Sequence, residues 1–168
     1  MRRITALIFS IVLVGLLGAC GPSFKQESKE TEKAVKTALE AKIQKQNKKI
    51  QSIEFHLPFG FEVKEKSPNN IILKNGSKTY ILFYNPHEKS GSEVVYEATK
   101  AQHEKIELDK TYKKDDKFAY LLLEQLEEDM NEVTVGIGGT KITTETKTSS
   151  MKNEAKTMME IVSSVKMK

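Results

Sequence analysis

A chain of 168 residues with a single cysteine and no tryptophan is long enough for one domain and cannot close an internal disulfide. Its 27 Lys and Arg residues against 23 Asp and Glu give a formal net charge of +4. The lysines are mostly interleaved with glutamates, and only 7% of residues are aromatic. Nucleic acid binding calls for clustered basic residues with stacking aromatics, so that class of partner is set aside.

Arg2 and Arg3 are followed by an uncharged run from Ile4 to Ala19, and Cys20 comes next. A basic start, an apolar middle and a small-residue site predict a secretory signal peptide. A retained membrane helix is the first alternative. The run would reach roughly 24 Å at about 1.5 Å per residue, short of a hydrocarbon core of roughly 30 Å. Gly15, Gly18 and Pro22 weaken it further. Ordinary secretion after Ala19 is the second alternative, but Leu17-x-Ala19 is not the small-x-small pattern of that cleavage.

Leu17-Gly18-Ala19-Cys20 resembles the lipobox of bacterial lipoproteins. The resemblance implies that Leu17, Gly18 and Ala19 form a signal-peptidase recognition site and that Cys20 carries a diacylglyceryl group. Two acyl chains anchor a protein stably without a spanning segment. The protein is therefore expected on the extracytoplasmic face of the cell membrane, with membrane lipid as its first partner. No thiol would remain for catalysis or metal binding. Removing residues 1–19 leaves 149 residues, with 25 basic against 23 acidic, so the pI near 9.0 overstates the basicity of the mature chain.

Residues 20–31 mix glycine, proline, serine and charges and read as a lipid-anchored tether. A charged helix is predicted over 31–50, with Val35, Leu39, Ile43 and Ile50 on one stripe interrupted by Gln46. Eight lysines against four glutamates lie between Lys25 and Lys49. Adhesion to anionic headgroups is one use of such a segment. A solvated spacer helix docking one stripe is the simpler use and is the reading preferred from sequence.

From Ser52 the pattern changes to short runs with turn signals, giving a globular domain over 52–168. Strands are predicted over 52–57, 61–66, 70–74 and 78–85. Asn75-Gly76 predicts a hairpin with a type I′ turn. Tyr80, Leu82 and Tyr84 alternate with Ile81 and Phe83, which predicts a strand covered on both faces. A helix is predicted over 93–105, with Val94, Ala98 and Ala101 on its packed side. Strands over 106–113, 117–126, 132–137 and 140–146 follow, the last two joined by Gly138-Gly139. Phe118, Tyr120 and Leu122 alternate with Ala119, Leu121 and Leu123, again apolar on both faces. The closing helix has Ala155, Met158, Met159, Val162 and Val165 on one stripe, with Ser149 or Ser150 as its cap.

This order predicts an α+β domain: a mostly antiparallel sheet flanked by helices. The segment from Phe55 to Phe61, the Val133–Thr144 hairpin and the Met151–Val165 helix together resemble the PsbP-like fold. Proteins of that fold mostly bind or assemble, so the resemblance implies a non-catalytic role.

The chemical motifs are weak. Val135-Gly136-Ile137-Gly138-Gly139-Thr140-Lys141 lacks the third glycine of a dinucleotide fingerprint and the Gly-Lys-Ser/Thr of a phosphate loop. Ser149-x-x-Lys152 and Ser163-x-x-Lys166 lack the accompanying elements of penicillin-interacting enzymes, and Ser163 reads as helix surface. His56, His87 and His103 have no metal-ligand spacing and read as surface residues. Glu124, Glu127, Glu128, Asp129 and Glu132 crowd one region without calcium-loop spacing and read as an exposed acidic turn. No enzyme site, cofactor or metal is expected. The predicted role is binding or scaffolding at the cell envelope, with an envelope protein, a wall component or a small solute as partner; an envelope enzyme with no recognisable site is the alternative.

Overall fold

The computed structural model describes residues 21–168. Helix α1 (Phe24–Glu40) comes first, then β1 (Lys48–Ile50) and β2 (Ile53–Phe55). The meander β3 (Phe61–Ser67), β4 (Asn70–Asn75) and β5 (Lys78–Tyr84) leads into α2 (Val94–Lys100). A second meander follows: β6 (Leu108–Lys114), β7 (Lys117–Gln125), β8 (Met130–Ile137) and β9 (Thr140–Lys147). A 3-10 turn over Thr148–Ser150 precedes α3 (Met151–Ser163), and β10 (Lys166–Met167) is the last element.

The protein is α+β. Seven antiparallel strands form the main sheet in the order β3-β4-β5-β9-β8-β7-β6. The two meanders meet where β5 pairs with β9, with Leu82 opposite Ile142. The chain therefore leaves β5 in mid-sheet, crosses one face as α2 and returns at the far edge as β6. A small sheet, β1-β2-β10, closes one end of the core. Ile50, Ile53 and Phe55 reach from it into the main cluster.

Helices α1 and α3 pack on each other and cover one face of the sheet. That face carries Leu73, Leu82, Leu121, Leu123, Val135 and Ile142, all fully buried. Met151, Ala155, Met158, Met159 and Val162 of α3 meet them; the last four belong to the predicted stripe, whereas Val165 lies past the end of the helix and is only partly buried. Glu154 in the first turn of α3 accepts from Lys78 Nζ and, at 2.7 Å, from the Tyr80 hydroxyl, which ties α3 to β5. Burial and that carboxylate together push the Tyr80 hydroxyl far above its ordinary range.

Several expectations change. Helix α1 starts inside the predicted tether and ends at Glu40, well short of residue 50. Ser23 starts it: its side-chain oxygen accepts from Gln26 N at 3.3 Å. Its buried stripe includes Glu27, Ser28 and Thr31, whose polarity hides it from a hydropathy pattern. The Ser28 and Thr31 hydroxyls donate to Phe24 O and Glu27 O at 2.7 Å each, so they need no outside partner. Ile43 lies beyond the helix and is exposed, and residues near Ile50 form strand.

The Asn75-Gly76 hairpin is present, but Asn75 pairs with Lys78 as the last ladder position. The loop residues are Gly76 and Ser77, and only Gly76 has a positive φ, at 59°. That is the requirement of a type II′ turn, not type I′. Ser150 holds the cap position of α3 without a side-chain bond, because a 3-10 turn leads into the helix. Ser163, in the last turn of α3, is half-buried, and its Oγ is buried without a partner among the described residues.

Candidate functional site

The second face of the main sheet is covered unevenly. Over β7, Tyr96 of α2 packs on Phe118 and Tyr120, each with ring centroids 5.2 Å away. Leu122 completes this cluster. Tyr120 faces Gly136 across the β7–β8 ladder. A Cβ on Gly136 would stand 2.3 Å from the Tyr120 ring, so the ring lies on bare backbone. Asp109 of β6 fixes α2 from outside: it accepts from the Tyr96 hydroxyl at 2.9 Å and from Lys100 Nζ at 2.8 Å. The Asp109 hydrogen bond holds the Lys100 ammonium above its usual range.

Helix α2 has only seven residues, and it buries Val95, Tyr96 and Thr99. Val94 and Ala98, expected on its packed side, are exposed, and Val94 is 56% accessible. The helix stops at Lys100 rather than residue 105. It leaves β4, β5 and β9 open on this face. Ile81 is 44% exposed and Phe83 is half-buried, so β5 is not covered on both sides as its alternation predicts.

The result is a groove of about 500 Å³ between α2 and the open strands. Ile81 and Phe83 supply an apolar floor, and Val94 and Ala98 supply one wall. A neighbouring hollow of about 440 Å³ shares Ile81, Glu132 and Thr143 with it. Asn70, Asn85, Gln102 and Thr143 also line the groove, so the apolar floor is bordered by polar groups, a combination that small-molecule sites use.

A set of charges borders the groove. Glu124 and Glu132 stand directly opposite on β7 and β8. Like charges so placed repel each other. His103, just past α2, lies between them: Nδ1 meets Glu124, and Nε2 is 3.4 Å from Glu132. Its side chain is 16% exposed, so it is not the surface residue expected. Burial holds the Glu132 carboxyl above its usual 4.5, His103 opposes this and Glu124 reinforces it. Lys141 of β9 donates to Thr99 Oγ1 at 3.0 Å. Burial pulls its ammonium down, with Glu132 pulling the other way.

The two carboxylates engage opposite nitrogens of the His103 ring, so the three cannot converge on one ion. Among the described residues no three His, Cys, Asp or Glu side chains are placed to share a metal. The acidic region divides accordingly: Glu127, Glu128 and Asp129 form an exposed turn, while Glu124 and Glu132 are half-buried strand residues. His56 and His87 lie elsewhere, bonded to Lys45 O and Asn85 Oδ1 respectively, the first through its ring and the second through its backbone. Cys20 and Leu17–Ala19 lie outside the described residues; Gly21, Pro22 and Ser23 are exposed, and α1 follows at once.

Sequence reasoning passed over Lys141, Thr99 and the role of His103. The available signal was hairpin register. That signal is incomplete: strands ending at 126 and starting at 132 set Leu126 opposite Glu132, and only the observed ladder, with Gln125 opposite Asn131, sets Glu124 there. Among the described residues no helix is long and apolar enough to cross a membrane. No protein-family model matches this chain, and no curated protein matches it in sequence.

Proposed function

We propose that this protein is a membrane-anchored extracytoplasmic lipoprotein with a non-catalytic binding role, and that the groove between α2 and β5 is where it binds. The observation that carries this reading is the half-open apolar floor of Ile81 and Phe83, bordered by Lys141, Glu132 and His103. An apolar surface left beside half-buried charges costs stability that a simple structural domain has no reason to bear. The arrangement favours a ligand with an apolar body and a polar end. The lipobox resemblance supports the anchor at Cys20. Confinement to the membrane raises the local concentration of the groove near envelope partners or solutes.

Crosslinking in intact cells, followed by pull-down and mass spectrometry, tests this with wild type, Cys20→Ala and Ile81→Glu. An envelope partner or solute lost in both variants is the expected result. A partner that survives Ile81→Glu unchanged places binding elsewhere on the domain. A thermal-shift screen of purified protein covers small ligands, since a ligand at 100 times its Kd adds about 2.7 kcal/mol of stability.

A further inference from the structure

The solvent side of α1 carries an ordered row of charge. At 3.6 residues per turn, Lys25, Lys29, Lys33 and Lys36 fall within about 80° of one another around the helix axis. All four are exposed, and the buried stripe of Glu27, Thr31, Val35 and Ala38 lies opposite them. The early start of α1 brings Lys25 and Lys29 into the row; a helix beginning at residue 31 would leave them in a tether. Four glutamates of α1 balance these lysines in number but not in place: Glu27 is buried on the opposite side. Glu30 is taken by Lys33 at 2.7 Å, Glu32 by Lys110 at 3.3 Å, and Glu40 stands at the far end.

Beyond the helix, Lys42, Lys45, Lys48, Lys49, Lys166 and Lys168 are all exposed. Lys168 stands near enough to Lys49 to push its ammonium down, and Glu54 is the carboxylate that meets this pair, 2.6 Å from Lys168. Crowded like charges of this kind are relieved by an anionic surface.

We infer that the outer face of α1 is a second membrane contact that lies on an anionic headgroup layer, leaving the groove on the opposite side of the sheet facing away from the bilayer. The inference rests on the anchor proposed at Cys20. The four residues from Cys20 to the start of α1 span at most about 14 Å, so the first lysines are held within reach of the headgroups. A row of lysines along a helix that starts at the anchor matches a plane of anionic lipid better than it matches a free polymer. Each lysine brought to such a surface strengthens attachment up to about fivefold, and salt weakens it.

The test uses sedimentation with vesicles of phosphatidylglycerol and phosphatidylcholine, and with phosphatidylcholine alone. A soluble chain over 21–168 contains every core residue, and circular dichroism checks its fold. It should bind the anionic vesicles and leave the neutral ones. The variant K25Q/K29Q/K33Q/K36Q should bind at least about tenfold more weakly. A control of equal charge change on the sheet edges, K64Q/K66Q/K113Q/K114Q, should bind within about twofold of wild type. Equal losses in both variants, no preference for anionic vesicles, or binding to soluble polyphosphate without vesicle binding would each overturn the inference. Intact mass of the protein from the cell membrane fraction tests the anchor separately: an unmodified Cys20 would sink the anchor while leaving the vesicle result to be judged alone.

Discussion

Strands β5 and β7 carry the same signal and meet different fates. Each alternates large apolar side chains on both faces, the pattern of a strand buried in mid-domain. On β7, Leu121 and Leu123 enter the main core, while Phe118, Tyr120 and Leu122 lie under α2. On β5, Leu82 and the two tyrosines enter the same core, but Ile81 and Phe83 look into the groove. The difference is made by one seven-residue helix. Helix α2 is held over β6–β8 by the Asp109 contacts and by Tyr96 on Tyr120, and it is too short to reach β4 and β5. Binary pattern reports which faces are apolar. It does not report whether the chain has enough helix to cover them.

The sharpest way to break the comparison is truncation on both strands. Tyr120→Ala removes a fully buried ring and should cost about 3–5 kcal/mol. Ile81→Ala, at 44% exposure, should cost less than about 1 kcal/mol. Urea unfolding of the two variants measures the gap directly. Similar costs would mean that β5 is covered in solution and that the groove is not open.

Gly136→Ala is expected to have the next largest effect. The added methyl meets the Tyr120 ring at 2.3 Å with the backbone unmoved, so the ring and α2 must shift. A loss of about 1–3 kcal/mol is expected, as for other overpacked cores. Gly136→Ala combined with Tyr120→Ala should lose less than the sum of the two, because the second change removes the clash.

How much of this was legible before the fold was known depends on the kind of signal. The α+β class, the closing helix and the two-faced burial of β7 follow from apolar periodicity, and periodicity survives folding because it is set by the backbone repeat. The start of α1 was obscured because three of its buried residues are Glu27, Ser28 and Thr31. Ser23-x-x-Gln26 has the spacing of a capping box and was the better guide. Asn75-Gly76 marks the turn but not its type, since the ladder closes one residue later than Asn-Gly alone suggests. The charged border of the groove was illegible residue by residue. His103 comes from the segment after α2, Glu124 from β7, Glu132 from β8 and Lys141 from β9, and only the sheet order brings them together.

Lys141→Met probes the charged border at smaller scale. Burial disfavours the ammonium, so the folded-state pKa lies below the unfolded one. The unfolded chain therefore holds its proton to higher pH, and folding at neutral pH bears the cost of a half-buried charge. Lys141→Met should stabilise the protein by about 0.5–1 kcal/mol at neutral pH, after allowance for solvent at a half-exposed site. It should also weaken any ligand held by its polar end. A stabilised variant with undiminished binding would remove Lys141 from the site.

The smallest effect, and the most specific, belongs to Glu132. Burial raises its carboxyl above 4.5, so between that value and its folded pKa the native protein holds a proton that the unfolded chain has lost. By linkage, its contribution to stability is complete below about pH 4.5 and declines as pH rises through the folded pKa. Glu132→Gln keeps an acceptor near His103 and abolishes the titration. The variant should match wild type in acid and exceed it by about 0.5 kcal/mol near neutral pH. Thermal melts across this range read the difference. A gap that stays constant with pH would mean that His103 already offsets the burial of Glu132. The charged border of the groove would then be a settled ion pair, carrying no stored cost for a ligand to relieve.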